Sequence, residues 1–188
     1  MKIILASASP RRAQLLRQAG INDFEICPSD VDENLTGEFA PPDMVHELSR
    51  RKAVAAKADA DDIVIAADTL VFLSGQALSK PVDRDDAERM LTLLSGARHT
   101  VMTGVTVRRD DALITRHRET DVWFRALTPE EISAYIDTGE PMDKAGAYGV
   151  QGKGALLVER IDGDFFNVMG LPLRLLSSML IQVGIHLL

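Results

Sequence analysis

The sequence has one cysteine, Cys27, in 188 residues. An intramolecular disulfide is therefore impossible, and a thiolate metal centre would lack ligands. Histidine is nearly as scarce: His46, His99, His117 and His186 fall at no metal-ligand spacing, so metal-imidazole chemistry has no support. Positive charge is in deficit, with 21 Lys and Arg against 28 Asp and Glu and a net charge of -7. That balance argues against a general nucleic-acid-binding surface, whereas a local basic cluster in an acidic protein suits a small anionic ligand. Repeats, low-complexity tracts and linkers are missing. So is a membrane span, because the last apolar stretch, Leu171 to Leu188, is broken by Pro172, Arg174 and Gly184 and reads as a terminal amphipathic helix. A strand begins almost at once, at Ile3, which leaves no room for a signal peptide and makes the cytoplasm the expected location.

What is present is ordinary in bulk: 46% hydrophobic and 26% charged residues, in a chain long enough for one sizeable core or two closely packed lobes. The informative part is local. Ile3-Ile4-Leu5 reads as a buried strand, and Ala13, Leu15, Leu16 and Ala19 as the inner face of a helix. Ser7-Ala8-Ser9-Pro10-Arg11-Arg12 lies at the junction, with Ser9 as N-cap, Pro10 in the first turn and Gly20 closing the helix. A helix N-terminus prefers anions, yet Arg11 and Arg12 put two cations there. A bound phosphate would reverse that mismatch, because hydroxyls, backbone N–H groups and guanidinium forks match its oxygens. The alternative is a capped helix with solvated arginines.

Ser29-Asp30-Val31-Asp32-Glu33 reads as an acidic loop, either solvated or offered to a hard metal ion or a base edge. Pro41-Pro42 opens a helix expected to run to about Asp59, with Val45, Leu48, Lys52 and Ala55 on one stripe. A lysine on an inner face usually snorkels outward; otherwise its ammonium is held inward for an anion. Ile63 to Leu73 is the most apolar run and predicts a strand buried on both faces, with Asp68-Thr69 in its middle. A carboxylate there is costly unless paired, coordinated or used, which makes Asp68 a candidate functional group; the alternative is a bend that Asp68 caps.

Gly75 turns the chain, and Lys80 follows in Leu78-Ser79-Lys80-Pro81. Asp83 caps a helix whose inner face is Ala87, Met90, Leu91 and Leu94, ending at Gly96. Residues 99–107 and 113–124 alternate as an antiparallel hairpin, and Thr128-Pro129-Glu130-Glu131 is a capping-box start. Between Glu140 and Gly154, four glycines fall in residues 146–154. That density permits tight turns and close approach to a ligand, with Tyr148 for stacking and Gln151 for amide recognition; the alternative is a flexible connector. Asp162-Gly163, between Leu156–Ile161 and Phe165–Met169, predicts a second hairpin. The expected fold is α/β, a mixed twisted sheet with flanking helices, in two lobes around a cleft and without a separable linker.

These motifs, in order, resemble the Maf proteins. Leu5-Ala6-Ser7-Ala8-Ser9-Pro10-Arg11-Arg12 is similar to the family's opening signature, Asp32-Glu33 to its acidic pair, Lys52-Ala53 to its helical lysine, Ala67-Asp68-Thr69 to its catalytic strand and Lys80-Pro81 to its second lysine. Asp143 to Gly152 resembles its glycine-rich loop. The resemblance spans nearly the whole chain as one Maf-like domain. It implies the fold of the inosine triphosphate pyrophosphatases, a homodimer, and hydrolysis of a nucleoside triphosphate to monophosphate and pyrophosphate with a divalent cation, as a house-cleaning activity. The loop Ala147-Tyr148-Gly149-Val150-Gln151 resembles the group acting on dTTP and UTP; the other bacterial group prefers 7-methyl-GTP. By that similarity Asp68 is the proton acceptor, and Arg11, Thr69 and Gln151 are the specificity positions. Ser7, Arg11, Arg12, Lys52 and Lys80 would meet the phosphates, and Glu33 or Asp68 would hold Mg²⁺ or Mn²⁺. The rival is a nucleotide-sensing inhibitor of septum formation, which needs the basic pocket but not Asp68.

Overall fold

A computed structural model describes every residue except Asp30, so that member of the acidic loop lies outside the described residues. The strands are β1 (Ile3–Leu5), β2 (Glu25–Ile26), β3 (Ile63–Leu73), β4 (Gln76–Leu78), β5 (Arg98–Arg109), β6 (Ala112–Phe124) and β7 (Val158–Asp162). The helices are α1 (Pro10–Gln18), α2 (Pro41–Ala55), α3 (Arg84–Leu94), α4 (Pro129–Ile136), α5 (Phe165–Val168) and α6 (Leu173–Gln182). Among the described residues the strands form one mixed sheet in the order β2-β1-β3-β5-β6-β7, with β4 paired to β3. No helix among them is long and apolar enough to cross a membrane.

The chain divides into two compact units, Met1–Asp68 with Thr103–Arg118 and Gly170–Leu188, and Thr69–Met102 with Glu119–Met169. In the first unit β1 pairs in parallel with both β2 and β3, Leu5 opposite Ile65. Parallel pairing is why the apolar runs are continuous, since both sheet faces are covered. One face carries Ile4, Ala6, Val64 and Ala66, packed on Ala53 and Ala56 at the end of α2. The partners are small, so the helix comes close. At Gly104 of β5 the approach is closer still: a Cβ there would stand 2.1 Å from the Val45 carbonyl oxygen.

Helix α2 stops at Ala55, four residues before the expected end. Arg108 donates to the carbonyls of Val54 and Ala56 at 3.1 and 3.0 Å, satisfying orphan acceptors that a further turn would have used. Its inner face also differs from the expected stripe. Ser49 and Ala53 are buried with Val45 and Leu48, whereas Ala55 is exposed. Strand β5 is buried along most of its length rather than alternating, and the buried Thr106 hydroxyl bonds to both Ser49 and Thr115 at 3.0 and 2.9 Å. Hydroxyls paired with one another can be buried at low cost.

In the second unit β4 pairs antiparallel with β3 after a turn at Ser74-Gly75. Asp83 accepts from the Asp86 N–H to start α3, whose buried residues are Ala87, Met90, Leu91 and Leu94, as its periodicity predicts. Thr128 and Glu131 form the expected capping box of α4. The second hairpin does not form. Strand β7 leads through Asp162-Gly163 into the single-turn helix α5, because the Asp164 carboxylate accepts from the N–H groups of Phe166 and Asn167. An N-cap outcompetes the strand here, and the buried Asn167 amide then locks the turn to Val101 O and Thr120 Oγ1 at 2.9 and 3.0 Å.

Candidate active site

The parallel register of β1 and β3 fixes the geometry of the first unit. β1 ends at Leu5, opposite Ile65, while β3 runs on to Leu73, so the parallel pairing stops at the C-terminal end of β1, the end where open α/β sheets bind ligands. There β1 opens into Ser7–Ser9 and the start of α1, and β3 reaches Asp68, which is 6% exposed. Val64, Ala66 and Asp68 share parity on the strand, so the carboxylate points to the face that α2 covers.

Lys52 of α2 meets it. Its Nζ lies 2.5 Å from Asp68 Oδ1 and 2.7 Å from Glu33 Oε1. The lysine side chain is 11% exposed, so the ammonium is turned inward and the expectation that it snorkels is overturned. A buried carboxylate 16 residues away in sequence supplies the reason, because each ion would be costly alone. Glu33 is exposed but held through its loop. Arg51 Nη1 donates to the carbonyls of Asp32 and Asn34 at 3.0 and 3.1 Å, while Arg51 Nε donates to Glu47 at 2.8 Å. Asp32 itself turns away, accepting from Asn34 N and Nδ2.

The strand–helix corner is equally built. Ser9 occupies the N-cap position, but its side chain does not cap; its N–H donates instead to Ser7 Oγ at 3.2 Å. Arg12 Nη1 donates to the same hydroxyl at 3.0 Å, and Arg12 Nε donates to Gly170 O at 2.8 Å. Burial pulls the Arg12 guanidinium below its usual value, and the carboxylates of Asp68 and Glu33 oppose the shift. Arg11 is half-buried in the same first turn. Ser7, Arg12, Glu33, Lys52 and Asp68 thus form one electrostatic cluster: two carboxylates facing an ammonium, beside a serine and arginine at a helix N-terminus.

Thr69, Lys80 and Gln151 belong to the second unit. Thr69 follows Asp68 on β3 and is half-buried, Lys80 is exposed, and Gln151 is half-buried with an extended backbone. The glycine-rich stretch is a set of short 3₁₀ turns, Glu140–Asp143, Ala145–Ala147 and Gly152–Leu156. The Gly146 N–H donates to Ser79 O at 3.1 Å, which ties the stretch to the residue before Lys80. Tyr148 does not offer its ring for stacking. It is 5% exposed and packs edge-on against His99 and Phe124, with its hydroxyl 2.8 Å from His99 Nε2.

The match to the Maf-like protein family runs over residues 2–183. The chain belongs to the Maf family. A dTTP/UTP pyrophosphatase from Symbiobacterium thermophilum is 48% identical to this Maf protein over 184 residues, covering 97% of this chain and 94% of that one. A second, from Moorella thermoacetica, is 50% identical over 188 residues, covering 98% and 96%. Among solved structures, a HAM1 protein from Coxiella burnetii superposes with a TM-score of 0.50 at 14% identity, covering 97% of this chain and 99% of that one. At that identity the likeness concerns the fold alone, and it agrees with the α/β architecture expected from the sequence.

Three residues with evident work in these two regions escape a reading of the sequence: Arg51, Tyr135 and Glu140. Arg51 reads as one of several basic residues on an exposed helix face, and nothing in its own spacing shows that it reaches the loop before α2. Glu140 had a usable signal, since a carboxylate standing next to a glycine-rich loop can accept from its N–H groups.

Proposed function

We propose that this Maf protein hydrolyses dTTP and UTP to the monophosphate and pyrophosphate. One observation carries the reading: Lys52 Nζ is shared between the buried Asp68 and the loop carboxylate of Glu33, beside the Ser7–Arg12 corner. A triphosphate brings charge of the sign this corner and Lys52 attract, and it displaces the carboxylates from the ammonium as it binds. Asp68 is then released to orient a water molecule and take its proton as the water attacks the α-phosphorus in line. Pyrophosphate leaves toward Lys52 and Arg11, and Lys80 is the second phosphate-binding lysine that the family resemblance implies. Positioning and charge stabilisation supply most of the rate in such transfers.

Glu33 and Asp68 fit a hard divalent cation, since two carboxylates already converge on one positive centre. They would hold Mg²⁺ or Mn²⁺, which when bound neutralises charge on the phosphate oxygens. The dTTP/UTP preference follows the shared name of the relatives and rests on Arg11, Thr69 and Gln151 as specificity positions. Gln151 can offer a pyrimidine edge both a donor and an acceptor. The reading carries with it a homodimer, as the family resemblance implies, and the cytoplasmic location expected from the sequence.

The test is a panel of dTTP, UTP, CTP and 7-methyl-GTP with Mg²⁺, Mn²⁺ or chelator, with products resolved. Pyrophosphate release from dTTP and UTP, lost with chelator, is the expected result. Preference for 7-methyl-GTP would overturn the substrate assignment, and release of orthophosphate would overturn the bond cleaved.

A further inference from the structure

We infer that Glu140 and Tyr135 are positioning residues for base discrimination, acting through the backbone on either side of Gln151; the inference rests on Gln151 being a specificity residue, as proposed above. Upstream of Gln151, the Gly149 N–H donates to Tyr135 Oη at 3.2 Å. Downstream, the N–H groups of Lys153 and Gly154 donate to Glu140 Oε2 and Oε1 at 3.1 and 3.2 Å. Tyr135 Oη in turn donates to Glu140 Oε1 at 3.2 Å. One hydrogen-bonded pair of side chains therefore brackets Gln151. Its carboxylate end sits at the start of the Gly152–Leu156 turn, where orphan N–H groups gather.

Glycine is required here for room rather than for looseness. A Cβ on Gly152 would stand 2.9 Å from both Glu140 carboxylate oxygens, and one on Gly154 would stand 2.6 Å from Tyr135 Oη and 2.1 Å from Gly149 O. The Lys144 ammonium donates to the Glu140 carbonyl from inside the same loop. Ala147, fully buried, is held at a φ of +58°, a conformation that persists only where its surroundings impose it. The stretch is thus wound on a polar post, and the flexible-connector reading is excluded. A side chain selects between bases only if its amide is held in one place, so that the wrong base leaves it unpaired.

The experiment measures kcat and KM for UTP and CTP with saturating Mg²⁺ in the wild type, Gln151→Ala, Tyr135→Phe and Glu140→Gln, with amide exchange followed over residues 144–154. Gln151→Ala should lower the UTP:CTP ratio of kcat/KM. Tyr135→Phe and Glu140→Gln should lower it by about three- to tenfold, the size of a lost hydrogen bond, with kcat on UTP falling by less than the ratio and loop exchange accelerating. An unchanged ratio in the folded Tyr135→Phe and Glu140→Gln proteins, with a lowered ratio in Gln151→Ala, overturns the inference alone. An unchanged ratio in Gln151→Ala overturns the reading of Gln151 and the inference with it. Tyr135→Phe is conservative enough that misfolding does not blur the result.

Discussion

Lys52 in the first unit and Glu140 in the second are reversed images of one device. Lys52 is a cation gathering two carboxylates, Asp68 and Glu33. Glu140 is an anion gathering backbone N–H groups of Lys153 and Gly154 and the Tyr135 hydroxyl. The difference lies in what an incoming ligand can do to them. Side-chain ion pairs exchange partners, so a polyanion can take the ammonium away from its carboxylates. Bonds to the backbone of a wound loop are fixed by the winding itself rather than by a mobile counter-ion. On the proposed function, the reactive groups would then be held by replaceable contacts, and the loop that carries Gln151 by contacts to its own backbone. Substitutions in the first cluster should move rate and stability, and those in the second, discrimination.

The hardest test of that contrast is Asp68→Asn. The amide still fills the strand and can still accept from Lys52, but it takes no proton. Turnover should fall by about 10²–10⁴-fold, the range for loss of a general base, while nucleotide affinity by equilibrium binding stays near wild type. Full single-turnover hydrolysis in a folded Asp68→Asn protein would break the comparison at its first term.

Lys52→Met comes next. It leaves Asp68, whose side chain is 9% exposed, without its cation. Removing one partner of a buried pair costs about 3 kcal/mol, and restoring neutrality recovers much of it. Urea midpoints should therefore rank wild type above Lys52→Met, with Lys52→Met/Asp68→Asn between them. A double variant no more stable than the single would mean that the ion pair does not organise the first unit.

Local signals carried much of this into the sequence, and longer-range ones did not. The buried face of α3, the capping box of α4 and the apolar run of β3 are written in neighbouring residues, and they formed as expected. Asp68 was legible because a carboxylate in a buried strand is anomalous wherever it occurs. For Lys52 the residues left both orientations open, since whether a lysine turns inward depends on what awaits it. Tyr148 reads as a ring for a ligand, and its true partners, His99 and Phe124, come from β5 and β6. Asp162-Gly163 read as a hairpin because the turn signal ignores Asp164, whose side chain caps a helix instead. The scarcity of histidine and tyrosine gave no hint that His99 and Tyr148 would find each other.

That pair supplies an effect confined to low pH and the sharpest contrast between the units. Burial pushes the His99 imidazole down to about 4, and its Nε2 is committed to Tyr148. The folded state therefore keeps His99 neutral while the unfolded chain takes up a proton near pH 6.5. Stability from this group is fully present above pH 6.5, falls by about 1.4 kcal/mol per pH unit below it, and is lost by about pH 4, for a total of about 3 kcal/mol. Carboxylates elsewhere titrate in the same window, so the measurement is a difference. Unfolding free energies from pH 7 to pH 4 should fall more steeply in the wild type than in His99→Gln, by close to one proton at pH 5. Amide exchange at pH 5 should locate the loss in the second unit, around Tyr148 and Phe124, while the strand carrying Asp68 keeps its protection. Equal pH slopes in the two proteins would mean that His99 carries its proton in the fold, and the aromatic core of the second unit would then need another explanation.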